Sequence, residues 1–180
     1  ANKEFATSYG LKSAYWSHFE VDAFPDVLAL LKTNLKELAN YYHALYQNKD
    51  FAKQRPENFR EAQHWYHEFL DSFPRDEESP VMNYQLADLL LENKSFHAAA
   101  LEYERTAYDY PAHEKASAAG YAAVYTHREN LSSAEKSDKP TIKRDVIRSS
   151  LRFADVFPEH DKAALVMGAA LEDIFSMKDY

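Results

Sequence analysis

The chain has 180 residues, a formal net charge of −8, 46% hydrophobic residues, only 3 glycines and no cysteine. This composition is typical of a folded, helix-rich protein, long enough for one domain or for several stacked repeats. The acidic balance, with no run of five or more Lys and Arg, argues against binding of nucleic acid or anionic membrane. The lack of cysteine excludes disulfides, thiolate metal sites and a cysteine nucleophile.

The N-terminal part of the chain carries aromatic residues at helical spacing. Residues 1–8 show no pattern, and residues 9–24 predict one helix that ends before a proline. The apolar positions of this helix are Tyr9, Leu11, Tyr15, Trp16, Phe19 and Phe24. Residues 26–48 predict a long helix with Asp26 as its N-cap. A polar loop or a frayed helix start over 52–58 and a helix over 59–73 follow.

Residues 80–111 show the clearest pattern, two short helices with a turn between them. Ser79 is predicted to cap the first helix, with Pro80 at the first helical position, where no N–H is needed. Small and large apolar residues at helical spacing give each helix one packing stripe. Phe96 is predicted to close the turn, and the stripe positions are Leu86, Ala87, Leu90, Ala99, Tyr103 and Thr106. Ala62, Tyr66 and Phe69 have the same spacing as the last three of these, which indicates an internal repeat.

The C-terminal third predicts a further helix pair and a last helix. Helices are expected over 115–129 and 141–157, with an insertion loop over 132–140, and then over 161–180. The packing positions predicted for the first of these helices are Ala118, Tyr121, Ala122 and Tyr125. The residues predicted to close the turns between paired helices are Phe51, Phe96, Leu131 and Tyr180.

These positions resemble the tetratricopeptide repeat (TPR), a helix–turn–helix unit of about 34 residues. The match is good in residues 80–111, except that Asn83 stands where the family prefers a large apolar residue, a place Tyr84 is expected to fill. The resemblance implies an all-α, right-handed superhelical solenoid of antiparallel helix pairs over residues 1–180. It would hold an orphan helix over 9–24, repeats over 26–74, 80–111 and 115–158, and a half repeat over 161–180. We expect it to be a segment of a longer chain, because a stack of repeats buries its end faces only with capping helices.

In TPR proteins the first helix of each repeat lines a concave groove that binds a peptide or protein segment. Carried over position by position, the resemblance implies groove residues Lys36, His43, Tyr46, Gln47, Val81, Tyr84, Asp88, Leu91, Glu92 and Phe175. It also places Ala116, Ala119, Ala123, Thr126 and His127 of the third repeat, and Leu165, Gly168, Glu172 and Ser176 of the fourth, in the groove. The expected partner is a protein or peptide with basic and apolar residues. Nucleic acid and insertion into a membrane are not expected, and self-association through the last helix is an alternative.

Sequence patterns that would indicate chemistry are weak. Glu61, His64 and His67 form one Glu-x-x-His pattern on a helix, but no second such pair completes a di-iron motif. We therefore predict no metal, no cofactor and no catalysis in this chain. The aromatic–proline helix ends look like those of TPR proteins of the bacterial envelope, which favours a periplasmic or outer-membrane-associated scaffold, with a cytoplasmic location as the alternative. Two other functions stay open, a non-catalytic arm of a larger enzyme, such as a cell-wall-active one, and an oligomerisation module.

Overall fold

A computed structural model describes residues 2–18, 20 and 23–178. The fold is all-α, as predicted, and no strand occurs in these residues. The α-helices are α1 (Asn2–Tyr9), α2 (Pro25–Gln47), α3 (Arg55–Ser72), α4 (Ser79–Glu92), α5 (Phe96–Tyr108), α6 (Ala116–Ser133), α7 (Lys139–Val156) and α8 (Ala163–Lys178). Short 3-10 helices span Ala14–His18 and Lys49–Gln54.

The N-terminal region differs from its prediction. A helix forms over Asn2–Tyr9, where no pattern was found, and the single helix expected over 9–24 is absent from the described residues. The chain turns at Gly10, where an added Cβ would lie 2.8 Å from the Ala6 carbonyl oxygen. The aromatic residues of this region therefore form a cluster and not a helical stripe, and Trp16 Nε1 donates to the Tyr9 carbonyl at 2.8 Å. Phe19 lies outside the described residues.

The predicted helix ends also change at several places. Helix α2 is capped by Phe24 and begins at Pro25, so Asp26 lies in its first turn and is not the N-cap. Of the two structures predicted for 52–58, the helix start is the observed one, because α3 already begins at Arg55. Helix α6 continues to Ser133, which reduces the insertion loop to residues 134–138. Tyr180, predicted to close the last turn, lies outside the described residues.

The chain divides into two compact units, Ala1–Met82 and Asn83–Tyr180, with the boundary inside α4. In the first unit α2 packs against α1 and α3. The predicted stripe of α3 is confirmed, since Ala62, Tyr66 and Phe69 have no exposed surface. The core of this unit also holds Leu31, Leu35, Leu38, Trp65 and Leu70.

In the second unit α5 packs against α6, α6 against α7, and α7 against α8. The stripes predicted for α4 and α5 are confirmed, because Leu86, Ala87, Leu90, Ala99, Tyr103 and Thr106 are all buried. Farther along the chain, Val124, Phe153, Ala163 and Val166 form a hydrophobic cluster, with Tyr121 and Phe157 packed against it. Helices α5 to α8 therefore bury apolar side chains against their neighbours in sequence.

The start of α4 shows a different capping arrangement from the predicted one. Ser79 is the first helical residue, and its hydroxyl donates to the Phe73 carbonyl instead of accepting from a backbone N–H. Asp76 accepts from the backbone N–H of Glu78 at 3.0 Å. Two of the three carboxylates of this turn also form ion pairs with α2, Asp76 with Lys32 at 3.0 Å and Glu78 with Lys32 at 3.4 Å. The acidic turn therefore fixes the entry to α4.

Asn83 and Tyr84 differ from what the TPR resemblance implies, because Asn83 itself occupies the packing position. Asn83 is completely buried, and its amide donates to the Glu102 carbonyl at 2.8 Å and to Thr106 Oγ1 at 2.9 Å. Its Oδ1 accepts from the Tyr110 hydroxyl at 3.3 Å. Tyr84 is only half-buried and does not fill the vacant apolar position. The amide takes that position because the side of α5 that faces it offers hydrogen-bonding groups.

The packing face of α6 is displaced from the predicted one. Ala119, Ala123 and Thr126 are buried, whereas Ala118 and Tyr125 are exposed. The sequence Ser-Ala-Ala-Gly-Tyr-Ala-Ala-Val contains mostly small residues, so side-chain size does not distinguish one face from the next. The structure instead places Gly120 against the rings of Phe153 in α7 and of Phe157 just after it, which leave no room for a side chain.

Candidate functional site

Two of the predicted groove residues of α2 are buried. His43 is 8% exposed, and its Nδ1 lies 2.9 Å from the hydroxyl of Tyr66 on α3. Tyr46 is 3% exposed and lies beneath the Arg55 guanidinium, whose carbon is 4.4 Å from the ring centroid. The prediction that Tyr46 points away from the packing stripe is therefore wrong. Both side chains belong to the contact between α2 and α3, His43 through Tyr66 and Tyr46 through Phe59.

The other two predicted residues of α2 keep accessible surface. The Lys36 ammonium pairs with the Glu78 carboxylate, and its side chain remains 44% exposed. The hydrogen bond from Lys36 lowers the pKa of Glu78 despite the opposing effect of burial. Gln47 is exposed, with Nε2 3.3 Å from His43 Nε2. The polar groups of Lys36 and Gln47 thus already have partners within the first unit.

The predicted residues of α4 differ in how far they are already engaged. The Tyr103 hydroxyl donates to the Asp88 carboxylate, and burial, followed by this hydrogen bond, raises the pKa of Tyr103. Tyr84 packs edge-on against the Tyr103 ring with centroids 5.3 Å apart. Asp88 and Tyr84 thus help to join α4 to α5. The accessible predicted residues are Val81, Glu92 and the half-buried Leu91.

Helix α8 carries a more open apolar surface, in the region predicted for the fourth repeat. Leu165 is 68% exposed and Leu171 is 46% exposed, and Gly168 lies between them on the same helix face. We call Leu165, Gly168 and Leu171 the outer α8 face. Phe175 continues this face and is 66% exposed. Val166 and Ala170 lie on the opposite side of α8 and are buried.

Gly168 forms a notch in the outer α8 face. A Cβ added to it would have no heavy atom within 4 Å. Glycine in the middle of a helix costs about 0.5–1 kcal/mol relative to alanine. Among the described residues, no contact made at this position explains the cost.

A buried polar pair that the sequence did not indicate joins α5 to α6. His127 Nε2 lies 3.0 Å from Glu104 Oε1, and the His127 side chain is 1% exposed. Burial alone would raise the pKa of Glu104, but the hydrogen bond from His127 and the charge of nearby Arg148 hold the pKa below its usual range. His127 was assigned to the groove, and the displaced register of α6 turns it into the core. In the sequence, Glu104 and His127 are each an ordinary polar residue within a predicted helix, and nothing there indicates that they form a pair.

The residues considered for metal binding serve structural roles. The Glu61 carboxylate accepts from Trp65 Nε1 at 3.0 Å and pairs with Lys3 at 2.7 Å. The His64 ring packs on the Trp65 ring, with centroids 4.6 Å apart. Within the part of the chain that the structure describes, no group of three or more His, Asp and Glu could hold a metal ion. In the same residues, no helix is both long and apolar enough to span a membrane.

Comparison with known proteins adds no family. No protein-family profile matches this chain, and a search of curated proteins finds no significant similarity. Functional interpretation therefore depends on the chain's own surfaces. Of these, the outer α8 face is an exposed apolar surface that includes two predicted groove residues, Leu165 and Gly168.

Proposed function

We propose that this chain is a helical-repeat scaffold for protein–protein interaction, with the antiparallel TPR-like solenoid as its architecture. The observation that carries the proposal is the outer α8 face, an apolar stripe at helical spacing that α7 does not cover. The repeated burial of Ala62 and Tyr66, and of Ala99 and Tyr103, at equivalent positions supports the repeat architecture. No catalytic role is part of the proposal.

The arrangement of the stripe favours a binding surface over chance exposure. Single exposed leucines are normal on protein surfaces. Here Leu165 and Leu171 lie at the two edges of the exposed side of α8, about 120° apart around the helix axis, with the notch at Gly168 between them. Burying a leucine side chain contributes about 1.5–3 kcal/mol, so the two together could supply much of a micromolar interaction.

The partner that best fits this surface is an amphipathic helix. Helices α6 and α7 each use an apolar stripe to pack against neighbours on both sides in sequence. The outer α8 face is likewise an apolar surface on one side of a helix. The notch between its two leucines accepts one large apolar side chain in ridge-into-groove packing. Glu172 is exposed on the same face and favours a basic residue in the partner. The partner is thus the apolar and basic segment expected from the sequence, and a bacterial envelope assembly is the setting that the sequence resemblance favours.

The proposal is tested by pull-down from native cell extract with three baits. These are the wild-type chain, Leu171→Glu on the outer α8 face, and Tyr125→Glu as the matched control. Tyr125 is 50% exposed on α6, so its substitution introduces the same charge at an equally open apolar position. Circular dichroism and thermal unfolding establish that the three baits fold equally well. Sedimentation equilibrium of each purified bait measures self-association.

We expect a partner that the wild-type and Tyr125→Glu baits retain and that Leu171→Glu loses. A set of partners that is the same for all three baits would overturn the assignment to α8. A concentration-dependent dimer that only Leu171→Glu abolishes would replace the scaffold with the oligomerisation module. A parent chain with a catalytic domain and no partner for any bait would favour the enzyme arm instead.

A further inference from the structure

A basic pocket in the second unit is separate from the outer α8 face. Its volume is about 710 Å³, within the range of sites that bind organic molecules. It lies where the end of α6, residues 134–138, the start of α7 and the end of α8 meet. Five basic side chains line it, namely Arg128, Lys136, Lys139, Lys143 and Arg144. Leu131, Pro140 and Met177 give it an apolar part.

Helical spacing explains how the pocket forms. Lys139 and Lys143 are four residues apart at the start of α7, and Arg128 and Leu131 are three apart at the end of α6. Residues with these spacings lie on the same side of a helix. Each helix therefore contributes a short row of side chains, although no continuous basic run exists in the sequence. Five basic side chains therefore come together in the pocket without a run of five in the sequence.

Most of the positive charge in the pocket is not neutralised. Asp173 pairs with Arg128 at 3.3 Å and with Lys143 at 3.5 Å. Lys143 Nζ also donates to Ser176 Oγ at 2.6 Å. Among the described residues, no carboxylate lies within 4 Å of the remaining three basic side chains, those of Lys136, Lys139 and Arg144. The nearby acids of the connecting segment, Glu135 and Asp138, do not line the pocket.

The N-terminus of α7 adds a further positive contribution. Helix α7 has 18 residues, begins at Lys139 and carries Pro140 in its first turn. Its first backbone N–H groups are already bonded, that of Lys139 to the Glu135 carbonyl and those of Thr141 and Ile142 to the Asp138 carbonyl, so it is the macrodipole that favours an anion at this end. The helix dipole and the basic side chains thus both favour an anion. Leu131 and Met177 add apolar surface that an inorganic ion would not contact.

We propose that this pocket binds a small amphiphilic phosphomonoester. The doubly charged phosphate would lie against Lys136, Lys139 and Arg144, and the apolar body of the ligand would cover Leu131 and Met177. A nucleic acid is disfavoured because the basic residues are confined to one pocket of a chain with net charge −8. The phosphomonoester can come from a lipid, as in phosphatidic acid, or from a soluble aryl or alkyl phosphate.

The three methionines of the chain provide a test with internal controls. Met177 lines the pocket, Met167 is exposed elsewhere on α8, and Met82 is buried in the first unit. In a chain with ¹³C-labelled methionine methyl groups, four probes are titrated separately. They are dihexanoyl phosphatidic acid below its micellar concentration, phenyl phosphate, inorganic phosphate and, as the neutral-headgroup control, dihexanoyl phosphatidylcholine.

Two charge reversals complete the design. Lys139→Glu changes the pocket, and the new carboxylate at a helix N-terminus favours folding of α7. Lys162→Glu is the matched control, because it makes the same charge change just before α8, about 20 Å along the helix from Ser176. If Lys139→Glu does not fold, Lys136→Glu in the connecting segment takes its place.

We expect the Met177 methyl resonance to shift saturably with at least one organic phosphomonoester, with an affinity at least about tenfold higher than for inorganic phosphate. Lys139→Glu should weaken that binding about tenfold or more, and Lys162→Glu should leave it within about twofold. Tighter binding of phosphatidic acid or of phenyl phosphate identifies a lipid or a soluble source, respectively. The proposal is overturned if the Met177 resonance does not shift or if all three methionine resonances shift alike. It is also overturned if inorganic phosphate or phosphatidylcholine binds as tightly as the organic phosphomonoesters, or if both charge reversals weaken binding equally.

Discussion

Replacing Asn83 with aspartate tests whether the buried amide holds α4 against α5. The substitution keeps the size and shape of the side chain but removes both N–H donors, to the Glu102 carbonyl and to Thr106 Oγ1. Each lost hydrogen bond costs about 1 kcal/mol, and a buried acceptor left facing a carbonyl costs a further 1–3 kcal/mol. We therefore expect Asn83→Asp to lower the free energy of unfolding by about 3 kcal/mol at neutral pH.

The loss should depend on pH in a defined direction. Burial raises the pKa of a carboxyl group, and the protonated form of the introduced carboxyl can donate one hydrogen bond again. Urea unfolding followed by circular dichroism, compared with the wild type at each pH, should therefore show a smaller loss at pH 4 than at pH 7. Asn93→Asp is the control, an exposed site just beyond the end of α4 where we expect at most about 0.5 kcal/mol. Equal losses at Asn83 and Asn93, or a loss independent of pH, would refute the reasoning.

Two further predictions concern helix packing and acid stability. In urea unfolding, Gly168→Ala should raise the free energy of unfolding by up to about 1 kcal/mol. Gly120→Ala should lower it by about 1–3 kcal/mol through overpacking, since its Cβ would lie 2.9 Å from a Phe157 ring carbon. Equal effects of the two substitutions would contradict both predictions. The lowered pKa of Glu104 means that its stabilising effect is complete above about pH 4.3, its unfolded value, and is lost as pH falls through the folded value. Glu104→Gln, which removes the ionised partner of His127, should therefore flatten the stability–pH profile below about pH 4.3, and an unchanged profile there would contradict the assignment.

Sequence periodicity predicted the helices and stripes in which side chains differ clearly in size. The alternation of alanine with tyrosine at Ala62 and Tyr66, and again at Ala99 and Tyr103, marks one face without ambiguity, and the structure buries it. In α6 nearly every side chain is small, so the hydrophobic pattern did not distinguish adjacent faces, and the register came out displaced by one residue. The aromatic residues before Phe24 led to the wrong prediction of a single helix, because they cluster across a turn at Gly10 and do not follow one helix face.

Polar side chains were harder to predict because their partners lie on other helices. Asn83 and His127 are buried only because α5 supplies Thr106 and Glu104 at the matching height, which no local pattern reveals. The basic pocket combines short rows from three helices for the same reason. On α8, by contrast, Phe175 was predicted to be accessible from its position in the repeat, and its exposure agrees.

The central claim is that the outer α8 face recognises a partner helix, and site-specific photo-crosslinking tests it most directly. p-Benzoylphenylalanine is introduced in place of Leu171 or, as the control, in place of Tyr125, and each chain is irradiated in native extract and as purified protein. We expect a discrete adduct only from position 171, and we expect Leu165→Glu in the same chain to abolish it. Mass spectrometry then shows whether the cross-linked segment is an apolar and basic helix of another protein or a second copy of this chain. Equal adducts from both positions, or none from position 171, would contradict the account.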